Sequence, residues 1–425
     1  MTGTERRPPV PESAPAGPPG VGSRRRHHSP KDVRILHSHP LKSLSETALL
    51  ATTVSLVEFV RGALIFVLLP TLIAGRLGWP MGTTGAAVSV YFFAEVATKL
   101  VSGWLVDRLG SRRMLLWGFW IYVLAFAALV VARSTWQVFV ALMIMGAAAS
   151  PLWPAALTRL THNAGPEMGA ALGHVFSSWF LGAGLGIGVA TLLSRTNHPV
   201  SLGVFILPLL AAGGLGLLIP PDPQDAVLER EPSIRDLLRM VGKSLVKLAT
   251  SLIPQIVAAG VLIPIAVPYF EVVRGLDERQ LVILLVLAMG TGLVLLAPAG
   301  RIGDRVGRRK AYGLGLAAVA LLVIAVPFCQ TLWLLALNFI GIGVAYAFVL
   351  PAWNGILLRL LPKDVRGAGL GILMTAEGLG GVIGPLVGGL LWQVMTPSAP
   401  FYLSGALLLL ASSAATQWRA ESVEG

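Results

Sequence analysis

Charged residues are scarce in this sequence. Asp, Glu, Lys and Arg make up only 13% of its 425 residues, whereas hydrophobic residues make up 55%. A soluble domain normally has about 25% charged residues, so this chain has more apolar surface than a water-exposed fold can hide. We expect the surplus to face lipid, and the composition therefore indicates a membrane protein.

Cysteine is almost absent as well. Cys329 is the one cysteine in the sequence, which leaves no disulfide framework and no zinc-type cluster to consider. Nor does the sequence contain a recognisable pair of nucleophile and base, or a phosphate-binding loop. It therefore predicts neither an enzyme nor a bound metal or cofactor.

Acidic residues are outnumbered by basic ones. The sequence has 33 Lys and Arg against 21 Asp and Glu, for a formal net charge of +12. In a soluble protein this surplus would suggest a nucleic-acid partner. Here the basic residues lie between apolar runs, where they determine membrane orientation, so we expect no nucleic-acid partner.

Long apolar runs fill most of the chain after residue 43. Each is close to the roughly 20 residues that a helix needs to cross about 30 Å of hydrocarbon. The predicted spans are 46–73, 82–105, 114–132, 136–157, 168–193, 199–219, 245–270, 280–299, 311–328, 332–356, 368–393 and 399–417. The fold class predicted is thus an all-α membrane protein with twelve transmembrane helices.

Three polar segments delimit two sets of six spans. Residues 1–43, rich in Pro, Gly, Ser and Arg, are expected to form a disordered tail, and 418–425 a second tail. The charged connector 220–244 separates the predicted bundles 44–219 and 245–417.

Basic residues concentrate in the loops on one side of the predicted membrane. On the side of the N-terminal tail they are Arg108, Arg112, Arg113, Arg159, Arg301, Arg305, Arg308, Arg309, Lys310, Arg359, Lys363 and Arg366. The other side has only Arg76, Arg133, Arg195, Arg274 and Arg279. Loops rich in Lys and Arg stay in the cytoplasm, so we expect both termini to be cytoplasmic and the protein to lie in the inner membrane.

The two sets of spans carry an internal repeat. In the loop after the second span, the residues Gly103, Asp107, Arg108, Gly110 and Arg112 recur 197 positions later as Gly300, Asp304, Arg305, Gly307 and Arg309. Farther along, Pro151-x-Trp153 recurs as Pro351-x-Trp353. Parallel repeats related by an axis along the membrane normal relate the two halves of one large transporter fold. The repeat therefore predicts two pseudo-symmetric bundles.

The repeated loops carry a family resemblance. GWLVDRLGSRR at 103–113 and GRIGDRVGRRK at 300–310 are similar to the loop signature of the major facilitator superfamily. The resemblance implies a secondary transporter that works by alternating access, and we expect it to act as a monomer surrounded by membrane lipids.

A gating role is predicted for the repeated acidic residues. A carboxylate at the end of one helix can approach the positive N-terminus of a helix in the other half. Asp107 would approach the small residues 367–369, and Asp304 would approach 169–171. The resemblance implies the same role, a cytoplasmic latch that forms in one state and breaks in the other.

Ionisable residues inside the spans are the candidate coupling groups, because each costs about 2.5–3.5 kcal/mol at mid-helix. Glu58 and Arg61 share one face of the first span, and Glu95 lies deep in the second. Carboxylates beside an arginine can change protonation when a cavity opens to either side. Glu377 is the one acid deep in the C-terminal half, whereas Lys99, nearer the surface, is interpreted as a snorkelling side chain.

A second resemblance concerns the cavity. Glu58-x-x-Arg61, Glu95, Trp153 and Trp179 look similar to the polar pocket of the proton-coupled bacterial flippases that supply the glycolipid anchor of lipoteichoic acid. That family implies a polar sugar-binding pocket in the N-terminal half, an apolar pocket in the C-terminal half, and coupling to protons.

The repeat predicts an asymmetric cavity. Positions 58, 61 and 95 correspond to Gln255, Ala258 and Gly292, none of which is ionisable. A polar wall facing an apolar one suits an amphipathic substrate, and we expect it to move outward. Two alternatives remain open: a multidrug or small-solute efflux antiporter, and an importer of nutrients or organic anions.

The pattern of known drug exporters is incomplete in this chain. Their fourth helix carries an arginine four residues before a glycine, but here Leu142 precedes Gly146. Their glycine-proline signature belongs to the fifth helix, whereas Gly384-Pro385 stands in the eleventh. These departures weaken the multidrug alternative.

Overall fold

The computed structural model describes residues 40–163, 168–194, 203–221, 234–360 and 366–417. Within these ranges every regular element is a helix. The predicted tails 1–43 and 418–425 lie outside the described residues, except for Pro40 and the three residues after it. Most of the predicted connector also lies outside them. The predicted all-α fold class is confirmed.

Seven helices form the N-terminal half, which we define as the described residues up to 221. They are α1 (Pro40–Ala63), α2 (Met81–Leu109), α3 (Ser111–Val131), α4 (Thr135–Ala149), α5 (Leu152–Asn163), α6 (Met168–Leu193) and α7 (Ile206–Leu217). Two π-helical segments, Leu64–Leu68 and Thr71–Arg76, continue α1 on either side of Pro70. The proline lacks a backbone N–H, which accounts for a break in the α-helical pattern there.

The C-terminal half, residues 234–417, contains six long helices. They are α8 (Ile234–Leu262), α9 (Glu278–Val306), α10 (Arg308–Ala325), α11 (Leu332–Leu360), α12 (Arg366–Val394) and α13 (Ala399–Gln417). The short helix Ala266–Pro268 and the π-helical segment Tyr269–Val273 follow α8. Because α8 begins at Ile234, the last part of the predicted connector is helical.

The helices are suited to a membrane. Among the described residues, seven helices are long and apolar enough to cross one, and a pair bent by 52°, Leu248–Leu262 with Ala266–Val273, would form an eighth. The order of the helices is consistent with the twelve predicted spans. Large apolar side chains such as Leu124, Val131 and Val294 are 70%, 72% and 75% exposed, as expected where a helix faces lipid. The chain is a multi-pass membrane protein.

Glycine has the same backbone role in both copies of the repeated loop. Gly110 joins α2 to α3 at φ +88°, and Gly307 joins α9 to α10 at φ +103°. In each loop the glycine N–H donates to the carbonyl four residues earlier, at 2.9 Å and 3.0 Å. Side chains with a Cβ rarely adopt positive φ, so the turn geometry explains why glycine recurs at these two positions.

The two halves contact each other through α2 with α12 and α6 with α9. The contact of α2 with α12 extends from Gly82 beside Gln393 to Val96 beside Gly378, and it is tightest toward the first residues of α2. There, a Cβ added to Gly85 would collide with the carbonyl of Pro385, and one added to Gly389 would lie 3.1 Å from Gly85 Cα. The two helices therefore pack backbone against backbone at the end of the molecule opposite Gly110 and Gly307. We call this contact the glycine seam.

The same end of the molecule has a polar contact between the halves. Ser194, just after α6, donates through Oγ to Glu271 Oε1 at 3.4 Å. A Cβ on Gly184 of α6 would overlap the side chain of Met289 on α9. The glycine-proline sequence of α12, Gly384-Pro385, lies where α12 packs against Gly85 of α2 and Gly260 of α8.

Candidate functional site

Helices α1 and α2 bring three predicted residues together. Arg61 Nε lies 3.1 Å from Glu58 Oε2, one turn away on α1, and Arg61 Nη1 lies 3.5 Å from Glu95 Oε2 on α2. The side chains of Glu58, Arg61 and Glu95 are only 6%, 16% and 9% exposed. Burial on this scale is tolerable for charges because each one has an opposite partner.

Both predicted tryptophans lie beside Glu58. Trp153, in the first turn of α5, donates through Nε1 to Glu58 Oε1 at 3.4 Å. The Trp179 indole of α6 also faces this carboxylate, but its Nε1 completes no hydrogen bond among the described residues. One indole and one guanidinium therefore bond to the Glu58 carboxylate, and its burial leaves it with little contact to water.

Lys99 belongs to the same cluster, a role that sequence analysis missed. Its Nζ lies 3.7 Å from Glu95 Oε1 on the same helix, and its side chain is only 14% exposed. The snorkelling interpretation was therefore incomplete. Glu377 of α12 is exposed and lies outside the ion pairs that join Glu58, Arg61, Glu95 and Lys99.

A small cavity adjoins the carboxylate of Glu58. Its walls are the side chains of Val54, Val57, Glu58, Leu115, Phe119, Leu152 and Trp153. It has room for roughly one water molecule. Apart from Glu58 and the Trp153 indole, the wall is apolar, so this space is far too small for a substrate.

The predicted latch residues are only partly covered by the structure. The side chain of Asp107 and those of residues 168–176 and 366–376 lie outside the described part. Asp304 Oδ1 accepts from Arg308 Nε at 2.6 Å, and Arg308 Nη1 donates to the carbonyl of Gly355 at 3.0 Å. These contacts lie within the C-terminal half.

Two other latch arginines, Arg108 and Arg112, have partners within their own half. Arg112 Nη2 donates to the Leu217 carbonyl at 3.0 Å, and the Arg108 guanidinium lies 4.2 Å from the ring centre of Trp104. Gly103 has open space around it, whereas Gly300 packs against Pro351. Arg305 lies near the C-terminal end of α9 and Arg309 in the first turn of α10.

A buried ion pair outside the predicted site holds four parts of the N-terminal half together. Arg159 of α5 bonds to Glu46 Oε1 of α1 through Nε at 2.9 Å and Nη2 at 2.6 Å. It also donates to Ser111 Oγ at 3.2 Å and to the Pro220 carbonyl at 2.9 Å. In the sequence Arg159 looked like one more basic loop residue. Its burial depends on tertiary packing, which no local pattern reveals.

Arg159→Ala should destabilise the protein strongly. The Arg159 side chain is 4% exposed and that of Glu46 14%, and removal of one partner from a buried pair costs about 3–5 kcal/mol. We expect a clear fall in the unfolding midpoint of the purified protein in detergent. Arg279→Ala, at an exposed position in the first turn of α9, is the matched control. Equal unfolding midpoints for the two variants would contradict a stabilising role for the Arg159–Glu46 ion pair.

Sequence comparisons agree with this architecture. The chain is similar to the proton-coupled antiporter flippase LtaA of Staphylococcus aureus strain USA300, with 27% identity over 372 residues that cover 84% of this chain and 90% of the relative. The flippase of the same name from strain N315 is also 27% identical over the same length.

Solved transporters share the fold. A D-xylose-proton symporter superposes with a TM-score of 0.73 at 15% identity, covering 89% of this chain and 99% of its own. The nucleoside transporter NupG gives a TM-score of 0.70 at 15% identity, covering 88% of this chain and all of its own. At these identities the likeness concerns the fold alone.

A family model settles membership. The model described as Major Facilitator Superfamily matches residues 50–294 and 248–423, which together cover nearly all of the described chain. This is a family of transporters rather than enzymes, as the sequence predicted. The chain belongs to the Major Facilitator Superfamily.

Proposed function

We propose that this protein is a proton-coupled transporter that moves an amphipathic, glycolipid-like substrate outward across the inner membrane. The observation that carries the proposal is the buried cluster of Glu58, Arg61 and Glu95 in the N-terminal half. The similarity to flippases named as proton-coupled antiporters supports it. Both termini would then be cytoplasmic, as the basic loops favour.

The charges of the cluster suit the carriage of one proton. Arg61 pairs with two carboxylates, Glu58 and Glu95, and Lys99 pairs with Glu95. Glu58 therefore shares its one cationic partner with a second acid. A charge without a partner is costly inside a membrane, so a proton on Glu58 would leave Arg61 paired with Glu95. We infer that a proton and the substrate head group compete for this site.

Glu58 is the strongest candidate for the proton-binding group. Its carboxylate bonds to Arg61 and Trp153 and lies beside Trp179. Indole N–H groups and a guanidinium are also the donors and stacking surfaces that sugar hydroxyls use. A sugar hydroxyl that donates a hydrogen bond to the ionised Glu58 carboxylate would lose this acceptor when a proton binds there, so the proton and the head group would exclude each other.

Alternating access would supply the transport step. The glycine seam and the Ser194–Glu271 contact hold the halves together at one end. We propose that the latch of Asp107 and Asp304 holds the opposite end when the seam separates. In this scheme the cavity opens toward only one side of the membrane at a time.

Transport and competition assays test the function. Purified protein in liposomes should move a fluorescent diacyl glycolipid between leaflets when a pH gradient is imposed. Alkyl glucosides should compete, and each added methylene should strengthen binding by up to about 0.8 kcal/mol, or about fourfold. Leu124→Ala, on the lipid-facing surface, should behave as wild type and serves as the control.

Two outcomes would contradict the proposal. If free glucose competes as well as the alkyl glucosides and chain length has no effect, a nutrient importer replaces it. If sugar-free cationic amphiphiles compete as strongly as the glucosides, a multidrug exporter replaces it. If the glycolipid moves at the same rate with and without a pH gradient, proton coupling is refuted, but the proposed substrate class is not.

A further inference from the structure

The C-terminal half contains a neutral counterpart of the Glu58 site. Gln255 on α8 follows Glu58 by 197 residues, the same interval that relates the repeated loops. Tyr312 corresponds in the same way to Leu115, a wall residue of the small cavity beside Glu58. The counterparts therefore occupy one region of the C-terminal half, and we call Gln255, Tyr312 and Ser251 the glutamine site.

Hydrogen bonds fix the glutamine side chain in place. The Tyr312 hydroxyl donates to Gln255 Oε1 at 2.5 Å. Ser251 Oγ lies 3.2 Å from the Tyr312 hydroxyl and donates to the Ala411 carbonyl at 2.8 Å. Tyr312 and Ser251 are both fully buried. The oxygen of the Gln255 amide is thus anchored to a rigid network on α10 and α13.

Packing holds the tyrosine that anchors Gln255. The Tyr312 ring stacks on Trp353 with a centroid distance of 5.5 Å and an interplanar angle of 28°. Trp353 is the repeat counterpart of Trp153, which bonds to Glu58. In both halves, then, this tryptophan belongs to the site: Trp153 bonds to Glu58, and Trp353 stacks on the tyrosine that bonds to Gln255. In the C-terminal half, however, the Tyr312 hydroxyl bonds to the Gln255 amide. Its counterpart Leu115 has no polar group that could bond to Glu58.

The nitrogen of the Gln255 amide is still available. Across the described ranges, no group accepts a hydrogen bond from Nε2 of Gln255. The residue is only partly buried, unlike Tyr312 and Ser251. Parallel repeats are related by an axis along the membrane normal, so the repeat assigns Gln255 and Glu58 to corresponding depths of the two halves.

We propose that Gln255 is a second substrate-binding residue, which donates a hydrogen bond to an uncharged hydroxyl oxygen of the head group. The inference rests on the proposed function and adds to it. The sequence predicted an apolar wall in the C-terminal half. Gln255 adds one neutral polar side chain to that wall. The charged N-terminal site and the neutral glutamine site would contact opposite sides of one sugar ring, and Tyr312 acts as the positioning residue.

Such a site should bind head groups that carry one particular hydroxyl more tightly than head groups that lack it. A pre-formed donor that loses its partner stays desolvated and unpaired, so an analogue without the hydroxyl binds more weakly. Gln255→Leu removes the donor and should abolish this one preference, while preferences for other hydroxyls, bound by the N-terminal site, should persist.

The test uses dodecyl glucoside and its monodeoxy analogues, with the protein in lipid nanodiscs and binding measured by calorimetry. We expect the wild type to bind the parent compound about two- to tenfold more tightly than each analogue whose missing hydroxyl it contacts. In Gln255→Leu, one of these ratios should fall to one. In Tyr312→Phe, which leaves the amide present but unanchored, the same ratio should fall partway.

Matched controls separate binding from folding. Gln255→Asn retains an amide but shortens it, and should lose the same single preference with an unfolding midpoint close to that of the wild type. Gln330→Leu, at an exposed glutamine in the loop before α11, should keep every preference. If Gln255→Leu and Gln255→Asn keep all wild-type ratios, or lose all of them equally, the assignment of Gln255 is wrong.

The same data distinguish this failure from a failure of the proposed function. If dodecyl glucoside binds no better than glucose to the wild type, the amphipathic substrate is excluded and the role of Gln255 falls with it. If dodecyl glucoside binds well but both Gln255 variants keep every ratio, the proposed function stands and only the glutamine site is refuted.

Discussion

Glu58→Gln should reduce pH-driven transport to the background of liposomes without protein. The amide has the shape of the carboxylate but cannot exchange a proton in the accessible pH range. It also leaves Arg61, whose Nε lies 3.1 Å from Glu58, with Glu95 as its remaining acid partner. The measurement is the initial rate of glycolipid translocation with and without an imposed gradient.

A matched variant shows whether the effect belongs to the site. Glu278→Gln makes the same chemical change in the first turn of α9, away from the cluster, and should transport at the wild-type rate. Glu58→Gln should still bind dodecyl glucoside, because Trp153 and Trp179 remain in place. A normal gradient-driven rate in Glu58→Gln would assign proton coupling to another group.

Gly85→Val should abolish transport by forcing the glycine seam apart. A Cβ at this position already collides with the Pro385 carbonyl, and overpacking of a tight contact costs about 2 kcal/mol or more. That cost would shift the population roughly thirtyfold away from the state in which this end is closed. The protein should still fold, because the proposed alternating access requires a stable state in which α2 and α12 are apart at this end.

Crosslinking measures the seam directly. In a Cys329→Ser background the chain has no other cysteine. A Gly82→Cys and Gln393→Cys pair then reports the distance between α2 and α12, because a Cβ on Gly82 would lie 2.5 Å from Gln393 Oε1. Gly85→Val should lower the crosslinking yield severalfold. Gly188→Val on α6, where a Cβ meets open space, is the control. An unchanged yield together with normal transport would show that the seam has no role in gating.

Much of the fold follows from sequence because lipid imposes simple rules. Apolar runs long enough to span a membrane predicted the order of the helices. The repeated loops predicted two pseudo-symmetric bundles and indicated the family. The turn glycines, Gly110 and Gly307, were recognisable as a repeat, although their positive φ values became visible only in the structure. The π-helical segments around Pro70 and the early start of α8 at Ile234 were not predictable, since both depend on local packing.

The candidate site was predictable only in part. Glu58 and Arg61 are three residues apart on one helix, so their contact follows from helix geometry. Lys99 was assigned to the membrane surface because distance along the chain does not reveal which acid a flexible side chain reaches. The Arg159–Glu46 pair and the Tyr312–Gln255 bond join residues far apart in sequence. Such partners are chosen by tertiary packing.

The backbone contact of α2 with α12 suggests how the surrounding bilayer affects this protein. At Gly85 and Gly389 the backbones of the two helices are in direct contact, with no side chains between them. When the seam opens, lipid chains compete with the opposite helix for the same dispersion contacts, because lipid tails are as apolar as the helices. Fluid, disordered chains fill such a narrow slot readily, whereas stiff, saturated chains fit it poorly. The acyl composition of the membrane should therefore set how often this end opens, without any lipid touching the substrate site.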